Sequence, residues 1–389
     1  MKKSIFFAAL AAAAVAMPSC SNDEGVEVNQ GDAIKFNVFA GKTSRAVAIE
    51  NNTISQFHIW GVAANNTGDF FMNCDVKKEG DLWTYSPTKF WPQSNKVNFF
   101  GISAGRDGNY VDITDKVTPN YTGGVGGFAL NNYTVVEDAD LDVLYAAYFG
   151  AHKKTGTVPM NFHHALTQLA FGAKCTNADL TIRIKSIRVQ NIANQGTMAG
   201  PTSETKSWLS VDNGTDTEGE GWGVWSGQTG SATYTAPFFG NASAPLTEAV
   251  ANYSIDTNGK NNCLMVLPQA VTAWDAVSHG ANLVGSRFLI SCQILSGEGT
   301  SKTQIWPASG DYAEVAIPVP AITWKQGKRY VYNFNFNKGA GYTPDPDPED
   351  PNPDPKPQPV LKDVKIQVTV DEFQNGGTIG DFNLGDSSK

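Results

Sequence analysis

The sequence has few charged residues and lacks several common catalytic motifs. Asp, Glu, Lys and Arg make up 17% of the 389 residues, the net charge is −9, and no run of Lys or Arg exceeds a pair. Such a chain has no positive field to hold a polyanion, so nucleic acid is not expected as a partner. No HExxH, P-loop or GxGxxG motif is present. The adjacent His163 and His164 fall in a strand pattern that points them to opposite faces. We therefore predict no enzyme activity, no cofactor and no metal.

Cysteine is also scarce, and the spacing of the cysteines matches no metal-binding or redox motif. Beyond Cys20, the chain has only Cys74, Cys175, Cys263 and Cys292, and none of these lies in a CxxC or CxxH pattern. Cys175 and Cys292 sit in apolar runs typical of buried strands. We expect free thiols, with one disulfide as the alternative open to an exported protein.

Long apolar runs are absent except at the N-terminus. Residues 5–17 are apolar, follow Lys2 and Lys3, and precede Cys20. Thirteen residues are too few to span a bilayer, so this segment is typical of a removed targeting signal. A Cys after a small residue resembles the lipobox of bacterial lipoproteins. We predict a signal peptide over residues 1–19 and lipidation of Cys20, which would anchor a precursor to the outer membrane; simple secretory cleavage nearby is the alternative.

The residues that are abundant favour β-structure. The chain has 38 Gly, 20 Pro and 11% aromatic residues. Between turn-forming segments, short runs predict strands at 54–63, 96–104, 141–150, 158–174, 180–192, 263–270, 287–295 and 329–337. At 389 residues, two domains are expected. We predict an all-β protein with β-sandwich domains at 46–155 and 156–342, a Pro-rich spacer at 343–359 and a C-terminal strand segment at 360–389.

The first predicted strand carries an inward apolar face. Ile34, Phe36 and Val38 alternate with polar residues, which is the pattern of a strand with one buried side. A small, polar segment follows and ends with Arg45 before Ala46. Such a loop is open to a trypsin-like protease, so the propeptide over residues 20–45 could be detachable. The alternative is an ordinary first strand followed by a turn.

The last predicted strand follows the spacer. Proline at every second or third position of residues 343–359 excludes sheet and helix and favours an extended segment with a reach of roughly 50 Å. Beyond it, Val364, Ile366, Val368 and Val370 share one face. A lone strand must pair with a sheet edge. It either folds back on its own second domain or is donated to another subunit.

The two end strands together suggest strand exchange. Cleavage after Arg45 would release a strand and open an apolar groove. The C-terminal strand of a neighbour could fill that groove by β-augmentation, and repetition would build a head-to-tail polymer.

Aromatic residues also lie in the loop-rich region at 196–260, at Trp208, Trp222 and Trp225. Trp is mostly buried in proteins, so these side chains are expected to pin the loops to the core. The alternative is that they stack on sugars, which would make the protein a monomeric glycan-binding surface lipoprotein.

Three runs resemble a known family. They are DVLYA at 142–146, VPMNFHHALTQLAF at 158–171 and WKQGKRYVY at 324–332, and they look like recurring patterns of the fimbrillin, or type V pilin, family. The resemblance implies a lipoprotein precursor with two β-sandwich domains of transthyretin-like or Greek-key type. It also implies cleavage between Arg45 and Ala46, which makes Ala46 the mature N-terminus, and polymerisation by strand exchange.

These patterns predict a structural subunit of a cell-surface fimbria that supports adhesion. The expected partners are further copies or other pilus subunits, the outer membrane through the lipid anchor, and a host or bacterial surface receptor. A stalk position is favoured because a donor strand is present. A tip or anchor subunit that keeps its first strand is the alternative.

Overall fold

The computed structural model describes residues 28–40, 54–63, 70–106, 109–121, 125–136, 141–205, 221–236, 241, 244–254, 263–275, 283–297, 301–337, 339–344, 357–360 and 365–372. Within these ranges the regular structure is β-strand, apart from 3₁₀ turns at Thr114–Lys116 and Lys153–Thr155. No helix among the described residues is long and apolar enough to cross a membrane.

The strands of the first half are β1 (Val28–Ala33), β2 (Lys35–Ala40), β3 (Gln56–Ala63), β4 (Met72–Glu79), β5 (Leu82–Thr84), β6 (Phe90–Pro92), β7 (Val97–Arg106), β8 (Asn109–Tyr110), β9 (Val117–Asn120), β10 (Gly127–Thr134), β11 (Asp142–Ala151) and β12 (Thr157–His164). Those of the second half are β13 (Thr167–Lys174), β14 (Leu180–Ile192), β15 (Gln195–Ala199), β16 (Val224–Thr229), β17 (Ala232–Thr235), β18 (Ala251–Asn252), β19 (Leu264–Val266), β20 (Gln269–Val271), β21 (Arg287–Ser296), β22 (Thr303–Trp306), β23 (Ala313–Pro318), β24 (Ile322–Trp324), β25 (Lys328–Asn335) and β26 (Lys365–Glu372).

An eight-stranded sheet organises the first half of the chain. Its order is β2-β12-β11-β7-β3-β4-β5, with β8 beside β7. Alternation along β7 sends Phe99 into the core on one face and Phe100 into the core on the other. The Phe100 face is covered by the four-stranded sheet β16-β15-β10-β9, which contributes Phe128 and Met198. The central strands of the eight-stranded sheet, such as β11, are therefore buried on both faces and are almost continuously apolar, whereas β4 and β5 at one end are partly exposed.

Two five-stranded sheets form the second half. One has the order β18-β13-β25-β26 with β19 beside β13, and the other has the order β17-β14-β21-β22 with β23 beside β21. The ring of Phe288 on β21 lies 4.9 Å from Tyr332 and 5.1 Å from Phe334, both on β25. These edge-on ring contacts join the two sheets into a sandwich.

The all-β prediction is confirmed, and the predicted strands appear close to their expected positions. The run predicted at 158–174 is divided, because β12 joins the eight-stranded sheet and β13 joins the sheet of β25. The chain changes sheets between His164 and Thr167, after the boundary predicted at 155/156. The division into two domains stays a prediction, since one buried cluster includes residues from Trp60 to Val368.

Candidate functional site

The first end strand, β2, lies at the edge of the eight-stranded sheet. It pairs in parallel with β12, from Lys35 opposite Thr157 to Ala40 opposite Phe162. Among the described residues it pairs with no other strand. A single ladder therefore holds β2 to the sheet.

The three predicted inward residues of this strand are buried. The exposed fractions are 2% for Ile34, 5% for Phe36 and 8% for Val38. The ring of Phe36 lies 5.3 Å from that of Phe99 and 6.1 Å from that of Phe57, in edge-on geometry. The ring of Phe36 thus packs into a niche that the rings of Phe57 and Phe99 form on one face of the sheet.

Polar contacts also hold the junction of β1 and β2. The Ile34 amide donates to the Lys89 carbonyl at 2.9 Å, and the Tyr85 hydroxyl donates to the Ile34 carbonyl at 2.8 Å. Asp32 forms an ion pair with Lys153. Nothing in the sequence near Tyr85 indicates its partner, because the contact spans 51 residues.

The predicted cleavage and lipidation sites fall outside the described residues. These are Arg45, Ala46 and Cys20. The last described residue of the first strand is Ala40, which precedes Arg45 by five positions. Cleavage between Arg45 and Ala46 and lipidation of Cys20 therefore stay predictions.

The second end strand, β26, pairs antiparallel with β25 of its own chain. Val368 lies opposite Tyr332 and Ile366 lies opposite Phe334, on the buried aromatic face. Val368 is 5% exposed, whereas Val370 near the end of the strand is 47% exposed. Val364 lies outside the described residues. Of the two arrangements considered for this strand, the structure has the one folded back on the parent chain.

The two end strands share a geometry. Each lies at the edge of its sheet, and each presents apolar side chains at every second position, at 34, directly before β2, and at 36 and 38 within it, and at 366, 368 and 370 in β26. They differ in direction, since β2 is parallel to its neighbour and β26 is antiparallel. Both could leave a sheet without interrupting it, because neither has strands on both sides.

The prediction of an extended Pro-rich spacer is wrong for its two ends. The Thr343 amide donates to the Gln358 carbonyl at 2.8 Å, and the Val360 amide donates to the Gly341 carbonyl at 2.7 Å. The residues beside the prolines keep backbone donors and acceptors that can pair. The two ends of the segment therefore meet instead of lying a spacer length apart.

A cleft of about 300 Å³ brings two of the predicted tryptophans together. Trp222 and Trp225 line it, with Trp324, Gln228 and Lys325 among the other lining residues. Trp208 lies outside the described residues.

Both tryptophans of the cleft also contact the core. The Trp225 indole N–H donates to the Ala165 carbonyl at 2.7 Å, and the Trp222 ring lies 4.6 Å from that of His163. The two tryptophans thus hold their segment against the core, as expected. Both side chains are nevertheless half-buried and remain accessible at the cleft.

The remaining candidate residues, the two histidines and the cysteines, make contacts within the protein core. His163 faces Trp222, while His164 Nδ1 lies 2.8 Å from the buried carboxylate of Asp142. The described residues contain no group of three His, Cys, Asp or Glu side chains that could hold a metal. The thiols of Cys74, Cys175, Cys263 and Cys292 are free.

Replacing Tyr85 by Phe tests how the first strand is held. Loss of one hydrogen bond to Ile34 is expected to lower the free energy of unfolding by about 0.5–1.5 kcal/mol. Burial raises the pKa of the Tyr85 hydroxyl to about 12 from an ordinary value near 10. The folded state therefore binds this proton more tightly, and its stabilising contribution is lost as pH rises from about 10 to about 12.

Denaturant unfolding of wild type and Tyr85→Phe, followed from neutral pH upward, measures both effects. Tyr121→Phe, at a position that is 36% exposed, is the matched control and should resemble wild type. Identical stability and pH dependence in wild type and Tyr85→Phe would show that this hydroxyl does not secure the strand.

Comparisons with known proteins agree with this architecture. A solved fimbrial protein from Bacteroides vulgatus has a TM-score of 0.51 and 13% identity, and the alignment covers 88% of this chain and 99% of that chain. A candidate cell adhesion protein from Bacteroides uniformis has a TM-score of 0.41 and 14% identity, with 88% and 99% covered. No curated protein matches the sequence. The likeness to the first of these structures shows a shared fold.

The family comparison is more specific. The model of the family described as fimbrillin-like matches residues 44–349. This range begins one residue before Arg45 and ends before β26, so it contains neither end strand. Because the match covers most of the 389 residues, this protein belongs to the fimbrillin-like family.

Proposed function

We propose that this protein is a structural subunit of a cell-surface fimbria that assembles by removal of its first strand and by strand exchange. Membership of the fimbrillin-like family supports a pilus or adhesion role at the cell surface. The observation that carries the finer proposal is the pair of edge strands with matching apolar faces, β2 and β26.

Assembly begins with export and processing. The signal peptide over residues 1–19 is removed, and lipidation of Cys20 anchors the precursor in the outer membrane at the cell surface. Cleavage between Arg45 and Ala46 then frees the propeptide over residues 20–45. These steps rest on the sequence patterns and on the family resemblance.

Loss of the propeptide opens a groove beside β12. Full burial of an Ile, Phe or Val side chain stabilises a protein by about 1.5–3 kcal/mol, and Ile34, Phe36 and Val38 are all buried. The β12 backbone groups that pair with β2 lose their partners at the same time. The vacated groove is therefore an apolar sheet edge that favours association with another strand.

A neighbouring subunit supplies the replacement strand. Ile366, Val368 and Val370 have the spacing needed to take the places of Ile34, Phe36 and Val38, in that order. In this arrangement the donor runs parallel to β12, as β2 does. Val368 is smaller than Phe36, so it leaves part of the niche between Phe57 and Phe99 unfilled.

In the uncut chain neither the acceptor groove nor the donor strand is available for exchange. β2 occupies the groove, and β26 covers the edge of β25. Donation replaces the pairing of β26 with β25 by pairing with β12 of another copy. The intact precursor is thus stable as a monomer, and cleavage supplies the vacant site.

The experiment that tests the proposal is digestion of the purified precursor with an Arg-specific protease, followed by intact mass measurement and electron microscopy. We expect a cut after Arg45 and the appearance of fibres. Arg45→Ala is expected to keep its first strand and to remain monomeric. A chain truncated after Thr343 is expected to be cut but to form no fibres, because it has no β26 to donate.

Two outcomes would contradict the stalk role. Cut protein that stays monomeric with β26 intact would favour a tip or anchor subunit. Fibres from the truncated chain would show that another segment fills the groove.

A second candidate function is recognition of glycans at the cleft of Trp222 and Trp225. The observation that favours it is that two half-buried indoles meet in one cleft of about 300 Å³ beside Gln228 and Lys325. Aromatic faces beside a few polar groups are typical of small-ligand sites. A surface receptor carrying sugars would fit such a site.

A glycan array with Trp222→Ala and Trp225→Ala tests this second candidate. We expect glycan binding by the parent chain and its loss in both variants. Trp83→Ala, in a half-buried tryptophan distant in sequence from the cleft, is the control and should bind as the parent does. Unfolding curves must show that the variants fold, since Trp225 also bonds to Ala165. Absence of binding by the folded parent would remove this function.

A further inference from the structure

The chain on either side of the Pro-rich segment forms a small ladder, which we call the clasp and define as residues 340–343 and 358–360. Its backbone hydrogen bonds run from the Ala340 amide to the Val360 carbonyl at 2.9 Å, from Thr343 to Gln358 at 2.8 Å and from Val360 to Gly341 at 2.7 Å. The Gln358 amide also donates to the Thr343 hydroxyl at 2.8 Å. The clasp closes the Pro-rich segment into a loop.

The clasp is fixed to the body of the protein through β23. Ala316 and Tyr342 exchange two backbone hydrogen bonds, each of 2.8 Å. The ring of Tyr342 meets that of Trp274 edge-on, with centroids 5.8 Å apart. Ala340 is fully buried and Val360 is 9% exposed. Both backbone pairing and apolar burial therefore hold the clasp in place.

Gly341 allows the close approach to β23. Its φ angle is +90°, and a Cβ atom there would lie 2.5 Å from the Ala316 carbonyl oxygen. Only glycine fits such a position without moving the backbone. The glycine pair around Ala340 in the sequence is the signal that could have indicated a tight turn here.

The clasp and β26 are attached to different sheets. β23 belongs to the sheet of β21, whereas β25, the partner of β26, belongs to the sheet of β13. Withdrawal of β26 from β25 breaks the β25 ladder and exposes the side chain of Val368, which is buried in the core. None of the clasp hydrogen bonds named above involves a residue of β25 or β26.

We infer that the clasp stays closed when β26 is donated, so the donated segment begins after Val360 and the Pro-rich residues remain on the parent subunit as a closed loop. This inference rests on the proposed strand exchange. Only residues 361–364 then connect the clasp to β26. At about 3.3 Å per residue they reach roughly 13 Å, against roughly 50 Å for an open spacer. Donor and acceptor subunits must therefore be in close contact, and the partner surface around β12 must lie beside the clasp of the donor.

Two engineered disulfides in the full chain test the inference. Cys20→Ser and Cys74→Ser remove competing thiols from the background. Thr343→Cys with Gln358→Cys locks the clasp, and Asn333→Cys with Gln367→Cys locks β26 to β25 across a directly opposed pair. Each chain is digested with the Arg-specific protease, oxidised or reduced, and fibres are measured by electron microscopy.

We expect the clasp-locked chain to form fibres with the same yield oxidised as reduced, and the β26-locked chain to lose its fibres when oxidised and recover them on reduction. Loss of fibres from the oxidised clasp-locked chain alone, with recovery on reduction, would overturn the inference and leave strand exchange standing. Absence of fibres from the cut, unlinked background would instead contradict the proposed function.

Hydrogen exchange on fibres of the unmodified chain gives an independent readout that does not depend on the variants folding. The amides of Thr343 and Val360 should stay as protected in the fibre as in the precursor. Exposure of these amides in the fibre would show that the clasp opens.

Discussion

The need to cover the edge of β12 is the constraint on which this structure depends. A sheet edge with an apolar face cannot remain free, because it offers both unpaired backbone groups and unburied side chains to other molecules. In the precursor β2 covers that edge and places Phe36 between Phe57 and Phe99. The central strands β11 and β7 contribute buried side chains to the cores on both faces of the sheet and form one side of the groove, whereas β4 and β5 are partly exposed.

The second edge, that of β25, has an equivalent cover in β26. The precursor therefore has two covered edges and two end strands, and each strand can in principle leave without disturbing the core sandwich. The difference lies in how they are attached. β2 is followed in the sequence by Arg45, the proposed cleavage site, whereas β26 follows a clasp fixed to β23. Under the proposed assembly, proteolysis therefore removes the first strand, and the last strand stays tethered to its subunit.

The sequence predicted the strands well where side-chain alternation is strong, as in β14 and β25, and it predicted the buried faces of Ile34, Phe36 and Val38. Family membership confirms a structural or adhesive protein and not an enzyme. Pairing partners could not be predicted, because contacts such as Tyr85 with Ile34 join distant positions. The proline pattern gave no indication that residues 340–343 and 358–360 meet, since their pairing depends on the surface of β23.

Cross-linking of fibres made from equal amounts of unlabelled and ¹⁵N-labelled protein tests strand exchange most directly. If Ile366 takes the place of Ile34, then Lys365 comes close to Lys153, which pairs with Asp32 in the precursor. We predict a Lys365–Lys153 cross-link between isotopically different copies in fibres and its absence from uncut protein. In the precursor, Lys365 lies in register with Asn335 and Lys174. Fibres in which Lys365 links only to Lys174 of the same copy would contradict strand exchange.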